Sequence, residues 1–201
     1  MNNRQPLNNV LEYIHITLSH FRVQKETIME ALEAILTRRC VRNFDPTQIP
    51  PEELLEKVAE AGTFAPSGMG RQAGLIIKLY NREYRDRFAA LNAQIMGSED
   101  DPFYGAPLLL IVFADRRQAT YIYDGTLIMG NMMLAAHALG LGSCWVHRAR
   151  EIFASDEGKK FMQDNGIEDF YEGIGFLALG YLAGEPRQAA PRKKDFIREI
   201  R

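Results

Sequence analysis

Residues 38–44 read Arg38-Arg39-Cys40-Val41-Arg42-Asn43-Phe44. Three arginines therefore fall within five positions, just before the turn-prone pair Asp45-Pro46. Each guanidinium stays charged at any working pH and offers a planar set of donors that suits phosphate or carboxylate. The stretch predicts either a receptor for an anion or a solvated basic helix end, because the helix dipole also favours cations at a C-terminus.

The segment before these arginines has helical spacing. Ile28, Leu32, Ile35 and Leu36 fall on one helical face, which predicts a helix that leads directly into the arginine stretch. Residues 1–27 fit both helical spacing and strand alternation, so they are treated as an N-terminal extension of unknown role.

The bulk composition fits one globular domain over residues 28–201. The chain has 201 residues, 46% hydrophobic and 25% charged, with no repeat and no proline- or glycine-rich linker. The formal net charge of −2 argues against a general nucleic-acid binder, so anion recognition should be local. No apolar run is long enough to span a bilayer, which argues against a membrane protein.

The two cysteines, Cys40 and Cys144, stand far apart without a CxxC pair. This pattern predicts neither a disulfide framework nor a cysteine-rich metal site, and it favours a reducing cytoplasm. The N-terminus lacks the unbroken apolar segment of a signal peptide. Cys144 lies in an apolar stretch, so a buried, inert thiol is favoured over a nucleophile paired with His147.

The remaining chain predicts alternating helices and strands. A helix should begin after Pro51, bury Leu54, Leu55 and Val58, and stop at Gly62. Further predictions are strands at 75–80 and 173–183, a strand at 108–114 covered on both faces, a helix through Tyr84, Phe88, Leu91 and Ile95, and a helix capped by Ser155 that runs toward Gly166.

The segment 124–139 is apolar nearly all round, so a helix there must be buried nearly all round. In a chain of this size, packing against a second copy achieves that burial, and we expect a homodimer. Its methionines are interpreted as adaptable core residues.

Residues 65–74 form a glycine-dense loop that lets backbone amides approach a ligand, although such a loop can also be a mere connector. The sequence contains no HExxH motif, no GxSxG motif and no phosphate loop. The Gly140-Leu141-Gly142 segment is not a Rossmann fingerprint, because it is too short and follows a helix. No metal site is therefore predicted. Anion binding and glycine-rich loops together indicate a cofactor that brings its own chemistry.

The sequence resembles the nitroreductase family of FMN-dependent oxidoreductases. The resemblance covers Ile28 to the C-terminus and rests on four motifs in order: residues 38–44, Ala65-Pro66-Ser67 with Gln72, Gly140 to Trp145, and a basic tail. It implies an α+β fold with a mainly antiparallel central sheet flanked by helices, an intertwined homodimer, and FMN bound between the two chains. It also implies a reductase that uses NADH or NADPH to reduce a nitro compound, quinone or other small acceptor in a ping-pong cycle.

The resemblance also implies cofactor-binding residues. Arg38 and Arg42 should meet the FMN phosphate, ribityl chain or pyrimidine edge, with Arg39 and Cys40 beside them. Cys40 stands where the family usually has serine, and Gly70 where it has asparagine. The remaining expected contacts are Pro66, Ser67, Gly68 and Gln72 toward the partner's flavin, backbone amides of Val146, His147 or Arg148 near N5 and O4, and Arg192 and Lys194 at the phosphate.

No catalytic side chain is assigned, because hydride arrival on a flavin requires no protein acid or base. His147 and Arg148 could instead shape the acceptor site or face solvent. Two other functions stay open: a non-catalytic protein that carries FMN, and a family member with a specialised flavin chemistry.

Overall fold

A computed structural model of the chain describes residues 29–201, so the predicted extension at 1–27 lies outside the described residues. The helices in this range are α1 (Ala31–Thr37), α2 (Glu52–Thr63), α3 (Arg82–Met96), α4 (Tyr121–Ala138), α5 (Ala149–Ala154) and α6 (Asp156–Asp164). The strands are β1 (Gly74–Leu79), β2 (Leu108–Asp115), β3 (Gly142–Val146) and β4 (Tyr171–Gly180). No helix in the described range is long and apolar enough to cross a membrane.

The four strands form one sheet in the order β1-β2-β4-β3, and every neighbouring pair is antiparallel. The predicted α+β fold with a mainly antiparallel sheet is confirmed. All eight residues of β2 are buried, as expected for a strand covered on both faces. The edge strand β3 was not predicted, because its five residues begin with a glycine and give too short a pattern to identify.

Alternation along β2 divides the core into two layers. Leu109, Ile111 and Phe113 join a cluster rich in phenylalanine on one face of the sheet. Leu108, Leu110 and Val112 join a second cluster on the other face, where α2 and α4 pack. Met129 and Met132 of α4 are fully buried in this second cluster, which confirms their interpretation as core residues.

Helix α2 follows the predicted start at Pro51 and buries Leu55 and Val58, whereas Leu54, also predicted to be buried, is half-buried. It ends at Thr63, one residue beyond the predicted stop. Gly62 has a different role: a Cβ there would lie 2.8 Å from Ile76 Cδ1 and from Met132 Cγ. Glycine therefore lets α2 approach β1 and α4 closely. The predicted Ser155 cap of α6 is confirmed, since its hydroxyl accepts the Gly158 N–H at 3.2 Å.

Two predicted apolar faces are not buried within the single chain. In α1, Leu32 is 67% exposed and Leu36 is 65% exposed, while Ala34 is buried. In α4, Ile122 and Leu127 are exposed in the single chain, so the near-complete burial predicted for residues 124–139 would require the second copy that was predicted with it. Helical periodicity identifies apolar faces correctly but does not say whether the same chain covers them.

Candidate functional site

The arginine stretch is an extended segment that follows a helix. Helix α1 ends at Thr37, and Arg38 already has an extended ψ of 135°. The Val41 N–H then donates to the Ser143 carbonyl at 2.9 Å, and Cys40 forms a parallel bridge with Ser143 of β3. Residues 38–44 therefore lie along the open edge of the sheet, next to β3.

The three guanidiniums of this stretch have different partners. The Arg39 guanidinium donates to the Leu36 and Arg38 carbonyls at 3.0 and 2.7 Å, so it supplies hydrogen bonds to backbone carbonyls at the C-terminal end of α1. Arg38 Nη1 lies 3.7 Å from Cys40 Sγ, and Arg42 lies over the Tyr104 ring at 5.9 Å. Among residues 29–201, no carboxylate forms an ion pair with any of the three. Arg38 and Arg42 can therefore receive an external anion.

Cys40 and Cys144, distant in sequence, are neighbours in the fold. Cys40 is half-buried and Cys144 is buried. The pKa of Cys40 is lowered to about 5, first by a hydrogen bond with Cys144 and then by Arg38 and Arg42, while burial opposes the shift. The same hydrogen bond and burial raise the pKa of Cys144. Cys40 is therefore the more acidic of the two thiols.

The glycine-dense loop is held by two oxygen acceptors. The Ser67 hydroxyl accepts the Gln72 N–H at 2.9 Å, and the Asp124 carboxylate accepts the Gly68 N–H at 3.0 Å. Gln72 has a positive φ of 50°, which is uncommon for a residue other than glycine. Gly68 is tightly packed, since a Cβ there would lie 2.2 Å from Thr120 Oγ1. The loop therefore has a defined conformation.

The loop borders a cavity of about 590 Å³ between α2, β1 and α4. Three of the four loop residues predicted to contact the cofactor line this cavity: Pro66, Ser67 and Gln72. The buried Asp124 also lines it, at the point where its carboxylate holds Gly68 and accepts a hydrogen bond from Thr120 Oγ1 at 3.1 Å. The loop and the first turn of α4 thus form one wall of the cavity.

Replacing Asp124 with alanine is expected to destabilise the protein by about 1–3 kcal/mol, because the Gly68 N–H would lose its acceptor. Asp124→Asn keeps an oxygen acceptor and is the matched control, with a smaller expected loss. Denaturant unfolding and hydrogen exchange at the Gly68 amide measure the two effects. Equal exchange rates at Gly68 in both variants would contradict this role for Asp124.

The segment after β3 turns sharply at Arg148, which has a φ of 77°. The His147 carbonyl accepts a hydrogen bond from Asn92 Nδ2 at 3.0 Å, and the Arg148 N–H donates to His147 Nδ1 at 2.6 Å. The His147 side chain is exposed, whereas Val146 is buried. Because the Arg148 amide already has a partner, the His147 amide is a better candidate for contact with a ligand.

The predicted tail residues Arg192 and Lys194 are exposed; Arg192 lies outside regular secondary structure, and Lys194 begins a turn. No hydrogen bond or ion pair between described residues connects either of them to Arg38 or Arg42. Within one chain, the structure therefore joins residues 38–44 to β3 and the glycine loop to α4, and it leaves the tail separate.

Sequence reasoning missed Asp124, Thr120, Tyr104 and the contact between Cys40 and Cys144. Asp124 gave little signal, because an acidic residue in the first turn of a helix is expected from the helix dipole alone. Its position in an otherwise apolar helix was the only available hint. The thiol contact depends on a bridge between segments about a hundred residues apart, which no local pattern predicts.

Comparison with known proteins gives a consistent result. A sequence model described as the nitroreductase family matches residues 35–103 and 92–181. A protein from Methanothermobacter thermautotrophicus, provisionally named NADH dehydrogenase/NAD(P)H nitroreductase, is 30% identical over 135 residues, or 65% of this chain and 68% of that protein.

Two solved structures are also similar to this chain. A nitroreductase with bound FMN from Bacteroides fragilis superposes with a TM-score of 0.76 at 30% identity, covering 86% of this chain and 100% of that one. A nitroreductase with bound FMN from Desulfitobacterium hafniense has a TM-score of 0.75 at 28% identity and covers the same shares, 86% and 100%.

Proposed function

The chain belongs to the nitroreductase family, and we propose that it is an FMN-dependent oxidoreductase that takes electrons from NADH or NADPH and reduces a small acceptor such as a nitro compound or quinone. The observation that carries this proposal is the pair Arg38 and Arg42, two guanidiniums with no carboxylate partner among the described residues. A phosphate with a charge of about −1.5 to −2 would supply the counter-charge that no described carboxylate provides, by analogy with phosphorylated side chains.

The residues present fit FMN at both of its ends. Arg38 and Arg42 suit the phosphate or the pyrimidine edge, while Arg39, which serves the carbonyls at the end of α1, is assigned a supporting position. Pro66, Ser67, Gly68 and Gln72 suit the flavin of a partner subunit, because Ser67 and Asp124 fix the shape of their loop. Arg192 and Lys194 are proposed to reach the phosphate from the tail.

When bound, FMN supplies a ring that accepts a hydride and passes two electrons on. Arg38 or Arg42 would place positive charge at the pyrimidine edge of a bound flavin, which would make its reduction easier. The backbone at Val146 and His147 is proposed to lie along the ring, where Asn92 holds the His147 carbonyl. NAD(P)H and the acceptor would then use the same space in turn, in ping-pong order.

The proposed activity is tested by anaerobic spectroscopy. The purified protein should be yellow or should take up added FMN, and NADH or NADPH should bleach the flavin absorbance. Subsequent addition of a nitroaromatic compound or a quinone should restore it. Protein that neither contains nor binds FMN would refute the assignment, and a yellow protein that neither nucleotide bleaches would instead be a flavin carrier. Bleaching that only other acceptors reverse would indicate a specialised flavin chemistry.

We also propose that the protein is a homodimer. Exposed apolar side chains on α1 and α4 support this, including Leu32 and Leu36 on α1 and Leu127 on α4, since large exposed apolar patches often mark interfaces. We propose that residues 28–201 form a single domain and that two copies of this domain together form the flavin sites. The cytoplasm remains the expected location, from the cysteine pattern alone.

Leu127→Glu is expected to raise the dimer dissociation constant at least about tenfold. The reason is that burying an unpaired carboxylate in the interface costs more than about 1.4 kcal/mol. Ile95→Glu is the matched control, since Leu127 and Ile95 are both helical and both 45% exposed. Sedimentation with FMN present measures the mass. A monomeric wild-type protein under these conditions would rule out the dimer.

A further inference from the structure

The contact between Cys40 and Cys144 has no role in the proposed flavin chemistry. The backbone brings the two cysteines close: Cys40 pairs with Ser143 in a parallel bridge, and Cys144 is the next residue along β3. Cys144 belongs to the phenylalanine-rich core cluster, and Cys40 packs against the same cluster from its edge. Two thiols are therefore held side by side by backbone pairing and by packing of the core.

The two thiols differ in the ways that separate an attacking thiol from a resolving one. Cys40 is partly accessible, whereas Cys144 is 1% exposed. Arg38 Nη1 lies 3.7 Å from Cys40 Sγ, and Arg38 and Arg42 both lower the pKa of Cys40, as does Cys144. The thiolate is the nucleophile in disulfide exchange, and positive surroundings with partial exposure mark reactive cysteines.

We propose that Cys40 and Cys144 form a thiol–disulfide exchange site for low-molecular-weight disulfides, with Cys40 as the attacking thiol and Cys144 as the resolving thiol. The inference goes beyond flavin-dependent reduction and does not require it. The buried Cys144 follows the backbone partner of Cys40 along β3 and lies in the cluster against which Cys40 packs, which brings a second thiol close enough to act as the resolving thiol.

The exchange balances without any other reactant. The Cys40 thiolate attacks one sulfur of the external disulfide, which forms a mixed disulfide on Cys40 and releases one thiolate. Cys144 then loses its proton and attacks the Cys40 sulfur, which closes the Cys40–Cys144 disulfide and releases the second thiolate. The two protein thiols are oxidised by two electrons, and the external disulfide is reduced to two thiols.

Closure would also change the charge of the anion site. The disulfide removes the thiolate beside Arg38 and Arg42. In turn, a flavin phosphate bound to these arginines would restrict access to Cys40. This link between the thiols and flavin binding is the one part of the inference that rests on the proposed function. The flavin-to-protein ratio is therefore recorded on every sample, so that thiol chemistry and flavin binding can fail independently.

The test uses the full-length protein with oxidised glutathione as the probe, followed by intact-mass measurement under acidic denaturing conditions. The wild type should lose the mass of two hydrogen atoms, with both thiols protected from alkylation, and dithiothreitol should reverse the change. Cys144→Ser should keep one glutathione adduct on Cys40, because the resolving thiol is gone. Cys40→Ser, which carries the residue usual in the family, should remain unmodified, and circular dichroism verifies that each variant is folded.

Three outcomes would overturn the proposal. Unmodified thiols in both the wild type and Cys144→Ser would show that Cys40 is not an attacking thiol. A stable glutathione adduct on the wild type would remove the resolving role of Cys144. Modification of Cys144 in folded Cys40→Ser would contradict the assignment of Cys40 as the point of attack.

Discussion

Replacing Arg38 with alanine is expected to weaken FMN binding by roughly 10- to 150-fold. A hydrogen bond to a charged group contributes about 1.5–3 kcal/mol, and each 1.4 kcal/mol corresponds to about tenfold in affinity. Arg38 has no carboxylate partner in the described part of the chain, so its removal leaves no carboxylate unpaired, and the contact with Cys40 Sγ at 3.7 Å is the one described side-chain contact that is lost. The lost affinity therefore reports the contact with FMN.

The measurement is a fluorescence titration of flavin-free protein with FMN, together with the flavin content after purification. Arg82→Ala is the matched control, because Arg82 is an exposed helical arginine paired with Asp86 at 2.9 Å. It should bind FMN as the wild type does. Unchanged affinity in Arg38→Ala, or an equal loss in Arg82→Ala, would contradict the placement of the phosphate or pyrimidine edge at Arg38.

Replacing Phe176 with alanine is expected to lower the free energy of unfolding by about 3–5 kcal/mol, the range for phenylalanine to alanine in a packed core. Phe176 lies in β4 and is fully buried. Its ring centroid lies 5.2 Å from that of Phe103 and 5.7 Å from that of Phe153. The substitution would leave a cavity at the centre of the phenylalanine-rich cluster.

This change should lower the melting temperature by roughly 6–20 °C, since each kcal/mol shifts a chain of this size by about 2–4 °C. Phe176→Leu keeps more of the side-chain volume, so its free energy of unfolding should fall less than that of Phe176→Ala. Ile95→Ala, at an exposed helical position, is the control and should change stability only slightly. A loss below about 1 kcal/mol in folded Phe176→Ala would show that the cluster does not depend on this ring.

Periodicity predicted the long elements well. The apolar run at 108–114 became a fully buried strand, and Ser155 caps α6 as expected. Short elements were missed for a physical reason: β3 has five residues, and its strand conformation depends on pairing with β4. The role of Gly62 also depends on distant residues, because a glycine that ends a helix cannot be distinguished in one sequence from a glycine at a close helix–strand contact.

The apolar periods, the caps, the family motifs and the arginine stretch can be identified from the sequence, because they depend on residue identity and on neighbours nearby in the chain. The folded chain was needed to show that residues 38–44 lie along β3, that Asp124 holds the glycine loop, and that Cys40 meets Cys144. Those contacts join segments about 56 to 104 residues apart, and they form only when the sheet order brings the segments together. Local patterns place chemical groups along the chain, whereas packing decides which of them share a site.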